Sequence, residues 1–513
     1  MRSGLARSTL GIAMRSGGAG FDAYAVAGLK PPLVADFGEE YYRKAGAATT
    51  FSGLITHARA SDATMINSSG ALVTVSSNVP RVGHHVWNGS AWVNAGLRHE
   101  SEARTQLLHT TDTLVTQSHT VTAVPHTLHF TGTGTVTLSG ASTAGPLVGT
   151  GTGENNRVSL TFTPSAASLT LTVSGTVSNA QLEVGSTPSS YIPNLAGSGT
   201  VTRAAETLTI PAANLPWPSV TYTSDELGFS EVSIDEFSAH DSVDITDLGD
   251  RFRITRNANS GATIQVQLDA AAGQLSTGDL VEVEFEIVAI GASNNAYSGA
   301  TNGGATSFIG MSYSSGPVVR NNLGVATGAG TGGIRFQLSV SRGANPASSV
   351  EGDWIEVSKT FSVRKANPLA VSMQMQGRMT YADTDESVAI QFFRWRVDAS
   401  NFIYAYTATN FGGGTGDLTF EQKSANVGDI AQTANDYFSP GVLSPFNIAS
   451  RHGSTFINGA EGGSALTEDT TPTSLPGLSG TDFELGYDFM GTIDKFRMWD
   501  ADLADAGIEE AST

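Results

Sequence analysis

Short runs in which apolar and polar residues alternate, each closed by glycine, serine or asparagine, recur along this chain, and no window carries a long helical period. Arg157 to Phe162, Leu169 to Val173, Leu369 to Met379 and Phe402 to Ala408 are examples. Alternation places successive side chains on opposite faces of a pleated strand, which is the pattern of a half-buried antiparallel sheet. Threonine and valine suit that pleat, and 58 glycines in 513 residues supply the tight positive-φ turns between strands. A chain of this length has room for several cores. The expected fold class is therefore all-β, a series of antiparallel β-sandwiches, preceded by an irregular N-terminal anchor.

One stretch punctuates the series. Ala180 to Val184 reads as a closing strand, Tyr191-Ile192-Pro193 packs back before proline stops the pairing, and Gly197-Ser198-Gly199 forms a spacer. An extended segment restarts at Thr200 to Ile210. One β-domain ends here and another begins. The patterns Gln181-Leu182-Glu183-x-Gly185, Ser190-Tyr191-Ile192-Pro193 and Thr202-Arg203-Ala204-Ala205 resemble a junction found in bacteriophage and prophage virion proteins, chiefly tail and head fibres. Further upstream, His57-Ala58-Arg59-Ala60-Ser61, Asn78-Val79-Pro80-Arg81 and the run from Gly96 to Thr105 resemble the N-terminal portion of the same proteins, with small departures at His57-Ala58-Arg59 and Thr105-Gln106. At the other end, Gly491 to Trp499 followed by Leu503-Ala504-Asp505-Ala506-Gly507-Ile508 resembles the close of a concanavalin A-like (laminin G-like) sandwich.

Five regions follow. Residues 1–45 form a virion-docking segment, Gly-rich at its start and unable to build a core alone. Residues 46–105 are an irregular or β linker. Residues 106–194 make a small jelly-roll-like sandwich. Residues 207–238 with 367–513 make a concanavalin A-like sandwich with 239–366 as an inserted sandwich of the carbohydrate-binding-module type, or these stretches are three separate domains in series.

Composition narrows the chemistry. Cysteine is absent, which removes disulfides, thiolate metal sites and thiol nucleophiles. Residues 1–200 hold 11 Lys and Arg against 10 Asp and Glu, a balance of +1, and residues 201–513 hold 17 against 38, a balance of −21, together the net −20. An acidic C-terminal two-thirds argues against nucleic-acid binding and against adhesion to anionic lipid. No apolar run is long enough to span a bilayer, and the N-terminus lacks the apolar core of a secretory signal. The expectation is synthesis in the host cytoplasm without a signal peptide and a place on the surface of the phage particle.

Eight of the ten histidines fall between His57 and His129. His84 and His85 are adjacent and His126 and His129 differ by an odd number, so each pair points to opposite faces of a strand and makes no metal site. Acidic clusters offer a better cation reading. Asp241, Asp244, Asp247 and Asp250 recur every third residue, and Asp383, Asp385 and Glu386 form a second tip. Crowded loop carboxylates can hold Ca²⁺, so Asp241, Asp244, Asp383 and Asp385 are candidate calcium ligands. No nucleophile elbow, zinc-protease motif or phosphate loop is present, so the chain is expected not to be an enzyme.

Sugar binding needs flat aromatic faces beside planar polar groups. Trp354, Tyr313, Tyr404, Tyr406, Arg451 and His452 are the candidates, with Trp87 and Trp92 as a further pair, while Trp395 and Trp499 on strong strands read as core. The resemblance implies a virion fibre protein that contacts other virion proteins through its N-terminus, forms a homo-oligomer (a trimer in such fibres) and binds host surface polysaccharide. A tail-spike depolymerase and a ligand-free decoration protein are the alternatives.

Overall fold

The computed structural model describes residues 19–219, 369–383, 389–409, 415–472 and 474–513. Between 219 and 369 it describes 237–239, 243–257, 264–268, 280–291, 296–303, 306–307, 311–314, 318–325, 334–341, 351–352 and 354–366. The chain is all-β and consists of antiparallel sandwiches. It divides into two compact units, one made of residues up to 218 together with 369–513, the other of residues 219–368.

The first unit contains a large sandwich of two sheets. One sheet runs, in spatial order, Ala47–Thr49, Tyr41–Lys44, Leu33–Asp36, Met490–Trp499, Ala370–Tyr381, Gly441–Gly453, Ile457–Glu461 and Ser464–Ala465. The ten-residue strand Met490–Trp499 is long enough to take two partners along one edge. Leu33–Asp36 pairs with its second half and Leu97–Glu100 with its first. Gly96, at φ 80°, makes the turn into Leu97, where a side chain would collide with the Ile493 carbonyl. The facing sheet runs Val427–Gln432, Leu418–Ser424, Asn401–Ala408, Ala389–Asp398, Phe483–Tyr487, Thr207–Ile210 and Thr56–Ala58.

Between the sheets the inward positions of each strand meet. Phe392, Phe393, Trp395, Phe420, Phe446, Phe483, Phe489 and Phe496 are all buried there. Their rings pack edge to face or tilted, with Phe392 and Phe446 4.6 Å apart and Trp395 against Trp217 at 5.2 Å. Trp395 Nε1 donates to the Thr481 carbonyl at 2.8 Å. Trp499, also buried, donates to the Leu29 carbonyl and packs with Val26, Leu503 and Ile508 under the C-terminal helix Ala504–Ser512.

A smaller two-sheet sandwich lies within the same unit. Gln117–Thr120, Ser168–Ser174, Thr135–Gly140 and Leu147–Val148 form one sheet, and Val158–Phe162, His126–Gly132 and Val177–Val184 the other. Leu128, Phe130, Leu138, Leu169, Leu171 and Leu182 fill its core. The second unit, described by itself, has a six-stranded sheet that includes Ile264–Leu268, Ile334–Ser341 and Ala296–Gly303. Its five-stranded sheet is built on Val243–Asp247, Arg251–Arg256, Trp354–Ala366, Leu280–Gly291 and Val318–Val325.

The N-terminal third departs from the sequence-based division. Residues 19–45 are not a free docking segment. All four residues of Leu33–Asp36 are buried, paired with a strand more than 450 residues away, and Arg497 Nη1 donates to the Tyr24 carbonyl. Residues 1–18 lie outside the described residues. Residues 46–105 are not a linker either, since they supply Ala47–Thr49, Thr56–Ala58, Arg81–Val82 and Leu97–Glu100 to the large sandwich. These strands are only two to four residues long, and Arg81–Val82 and Leu97–Glu100 carry buried charge, so alternation does not reveal them. Of the strands expected between 207 and 238, Thr207–Ile210 belongs to the large sandwich, and those from 220 to 234 lie outside the described residues.

The two sandwiches of the first unit are joined by buried charge. Glu206 Oε1 accepts from Arg59 Nη1 at 2.6 Å and Arg81 Nε at 3.1 Å, and its Oε2 accepts from Arg81 Nη2 at 2.7 Å and the Glu100 N–H at 2.8 Å. Glu100 in turn accepts from Arg98 at 2.8 Å and from the Ser190 N–H and hydroxyl at 2.7 and 2.5 Å, with Arg81 2.8 Å and Arg203 3.3 Å away. Arg81 Nη1 also donates to the Thr64 carbonyl, and Arg203 to the carbonyls of Glu100 and Glu102. Next to this, Glu183 accepts from the Ser189 N–H and hydroxyl, and Gln181 bonds both Ser189 and the Ile192 N–H. These separate stretches thus converge on one place. The Arg59, Arg81 and Glu100 stretches and the Gln181-to-Glu206 stretch are four parts of a single ionic joint.

Burial alone would raise the carboxyls of Glu100 and Glu206. Arg203, Arg98 and Arg81 around Glu100, and Arg81 and His57 beside Glu206, instead hold both well below the usual carboxylate range. Removing one partner of such a set leaves charge buried and uncompensated, which costs about 3–5 kcal/mol. Glu206→Gln, which keeps shape and volume, is expected to lower stability by about that amount in denaturant melts. A loss below about 1 kcal/mol would show that the joint is not under that constraint.

Candidate glycan-binding face

The outward positions of the seven-stranded sheet form a patterned surface. On Asn401–Ala408 the odd-numbered Ile403 and Ala405 point into the core, so Phe402, Tyr404 and Tyr406 line up on the opposite face. Phe402 and Tyr404 stack with ring centroids 4.1 Å apart and planes 15° from parallel. The register sets their neighbours. Tyr404 sits between Arg394 and Glu421, Tyr406 between Gln391 and Thr419, and Phe402 between Arg396 and Lys423. One strand further, Gln391 faces Tyr487 and Arg394 faces Glu484.

These groups are mutually oriented. Arg394 Nε donates to Glu484 Oε2 at 2.6 Å while its guanidinium lies 3.5 Å from the centre of the Tyr487 ring, a cation–π contact. Lys423 Nζ lies 5.7 Å over Phe402. Tyr406 donates a long bond, 3.5 Å, to Glu421 Oε2. Burial raises the Glu421 carboxyl against the opposing pull of Lys423, and burial with the Glu421 charge pushes the Tyr406 hydroxyl up to about 12. Tyr404 and Tyr406 are half-buried, Tyr487 is exposed, and Val427, Ile430 and Val397 are exposed at the margin. A groove of about 320 Å³ runs along one end, lined by Arg394, Arg396, Val397, Asp398, Asp482 and Glu484. The combination is what a pyranose requires, apolar ring faces for its C–H groups and planar amides, carboxylates and guanidiniums for its hydroxyls.

The remaining candidates lie elsewhere. Trp354 belongs to the second unit, is half-buried, and has the Arg253 guanidinium 4.3 Å over its ring. The Tyr313 side chain lies outside the described residues. Arg451 is not a sugar ligand. It is 6% exposed and donates to Asp502 at 3.1 Å, to Asp505 at 2.9 Å and to Glu468, tying the C-terminal helix to the sheet. His452 is fully buried, because the residue after an outward Arg451 must point into the sandwich, and its only bond among the described residues is to Ser450 Oγ. Trp87 and Trp92 pair across a hairpin at 5.5 Å, with Trp87 exposed.

Among the described residues the calcium candidates form no metal-holding group. Asp244 and Asp247 lie on a strand rather than a loop, three residues apart, so they point to opposite faces. Asp244 accepts from Asn257, and Asp247 pairs with Lys359. Asp383 is exposed, and Asp241 and Asp385 lie outside the described residues. Among the described residues no group of three His, Asp or Glu side chains could hold a metal.

Arg394, Arg396, Phe402, Glu421 and Tyr487 were not singled out from the sequence, although the aromatic at every second position of Phe402-Ile403-Tyr404-Ala405-Tyr406 was visible. What was missing was cross-strand register, which brings Tyr487 beside a strand ending 89 residues earlier.

No family profile matches the chain, and no curated protein matches it. Among solved structures, a tandem of CBM22 domains from Paenibacillus barcinonensis Xyn10C aligns over 66% of this chain and all of its own, at 12% identity and a TM-score of 0.20. The ANX1 ectodomain from Arabidopsis thaliana aligns over 61% of this chain and 96% of its own, at 9% identity and a TM-score of 0.13. Neither score reaches the level of a shared fold.

His452 yields a pH test. Burial lowers its pKa from 6.5 to about 3, so between those values the unfolded chain takes up a proton that the folded chain refuses. Its contribution is full above pH 6.5 and declines as pH falls, by up to about 1.4 kcal/mol per unit. His452→Leu should flatten the loss of stability between pH 6.5 and 4, measured by denaturant midpoints. A variant as acid-sensitive as the wild type would contradict the burial.

Proposed function

We propose that this chain is a structural subunit of a bacteriophage virion fibre that binds host surface glycan through the outward face of its seven-stranded sheet. The observation that carries the glycan reading is the pair Tyr404 and Tyr406, backed by the buried Phe402 and flanked in register by Arg394, Arg396, Gln391 and Glu421. The virion reading is supported by the resemblance of the upstream and junction segments to phage fibre proteins. Fibres present several copies of a subunit, and avidity then turns modest single-site affinity into firm attachment. A homotrimer, the common state in such fibres, is part of this proposal. Attachment to the particle falls to residues 1–18, because residues 19–45 are committed to the large sandwich.

A second reading is hydrolysis, favoured by one observation. Glu421 is a carboxyl raised by burial on a face that also carries Glu484, held by Arg394, and glycoside cleavage uses a pair of carboxyls. Incubation with purified host polysaccharide separates the readings. The binding reading expects retention on the polysaccharide with chain length unchanged, and shortened chains would replace it with the hydrolytic one. Tyr404→Ala combined with Tyr487→Ala should weaken retention by about ten-fold or more, as loss of two ring contacts of roughly 1 kcal/mol each implies. Arg451→Lys should leave retention intact. Retention unaffected by the double variant would refute this face as the site.

A further inference from the structure

The outward face of the other large sheet carries a groove of about 390 Å³, within the range of about 300 to 1,000 Å³ usual for ligand sites. Strands Ala370–Tyr381, Gly441–Gly453 and Met490–Trp499 form its floor, and Asn94 and the end of the C-terminal helix wall it. Gln374, beside the groove, is tied at both ends of its amide, donating to Asn447 Oδ1 at 2.6 Å and accepting from Arg497 Nε at 3.0 Å. Gln376 lies on the same strand and face and lines the groove. It is half-buried, and its amide has no hydrogen-bond partner among the described residues. Arg378, two residues on, makes one bond among those residues, 3.3 Å from Nη1 to the Leu443 carbonyl.

Asp494 completes the set. In the register Gln376 faces Lys495 and Gly377 faces Ile493, so Asp494 is the extra residue of a β-bulge, a device that re-aims a side chain. Its carbonyl accepts from the Phe37 N–H at 2.8 Å, which anchors the bulge, while its carboxylate accepts no hydrogen bond among the described residues. Burial and the Asp36 charge raise this carboxyl, with Lys495 and Arg378 pulling the other way. Unlike the sealed Thr492 hydroxyl beside them, the Gln376 amide and the Asp494 carboxylate are open to water. Glu461, also on the wall, is taken by the Tyr437 hydroxyl at 2.6 Å. An acceptor, a donor and an amide that is both therefore meet in one groove, unused by the chain, and the charges of Arg378 and Asp494 offset each other. Hydroxyl groups, which donate and accept at once, match such a set, whereas an apolar ligand would strip water from it without replacing the bonds.

We propose that this groove binds a neutral monosaccharide unit, its hydroxyls donating to Asp494 and accepting from Arg378 and Gln376. The site belongs to the other sheet from the aromatic face and does not depend on the fibre reading.

Saturation-transfer NMR titrations with glucose, galactose and mannose test the proposal, run on the full chain and on a full chain carrying Tyr404→Ala and Tyr487→Ala, which leaves this groove untouched. Saturable transfer to at least one sugar is expected in both. Added to the double variant, Gln376→Leu and Asp494→Asn should each weaken that binding about three-fold or more, the worth of one hydrogen bond, with the melting temperature kept because neither side chain bonds within the chain. Transfer in the unaltered chain that vanishes in the double variant would assign the sugar to the aromatic face and overturn the groove. No transfer to any of the three sugars, transfer only to alanine (a zwitterion of the same net charge), or an affinity unchanged by both groove substitutions would overturn it as well.

Discussion

Two carboxylates, Glu100 and Glu206, buried among four guanidiniums, are the constraint on which the first unit turns. An ion withdrawn from water is costly on its own and tolerable only when every lone pair and proton finds a partner. Each carboxylate here reaches that state through residues from separate segments. Glu206 needs Arg59 and Arg81; Glu100 needs Arg81, Arg98 and the Ser190 amide and hydroxyl. None of these groups can be satisfied unless the others are in place. Fixed geometry therefore arises where an apolar contact would have allowed sliding.

This division of labour separates the joint from the outward face of the seven-stranded sheet. The Arg59, Arg81, Glu100 and Gln181-to-Glu206 stretches are consumed in holding the small sandwich to the large one. The seven-stranded sheet carries Thr56–Ala58 and Thr207–Ile210 at one edge, next to the joint residues Arg59 and Glu206, and presents Tyr487 on the adjoining strand and Tyr404 and Tyr406 two strands beyond it. The joint can thus stay constant while the outward side chains of the sheet vary. Such a face changes its ligand by replacing alternate residues on strands, with no cost to the core behind them.

Much of this was legible in the sequence, and unevenly so. The all-β class followed from alternation and glycine content. Trp395 and Trp499 read as core because each lies on a strong strand, and both are buried. Tyr404 and Tyr406 stand at alternate positions of one strand, which places both on its outward face. The short strands between residues 41 and 100 were missed, since two to four residues carry no usable period and their partners, such as Ile493 opposite Leu97, lie nearly 400 residues on. Arg451 and His452 were misread for a related reason. An Arg-His pair looks equally polar in sequence, yet on a strand one member faces the carboxylates of Asp502 and Asp505 and the other the core. Ionic partners, like register, are long-range facts.

Native-state hydrogen exchange measures most directly whether the buried charge makes one cooperative body of the two sandwiches. If it does, core amides of the small sandwich, Leu128 and Leu182, should open with the same free energy as Leu97 and Ile493 of the large one, and all four should shift together with denaturant. A small sandwich that exchanges through a separate, lower-energy opening, with Leu97 and Ile493 still protected, would contradict the account.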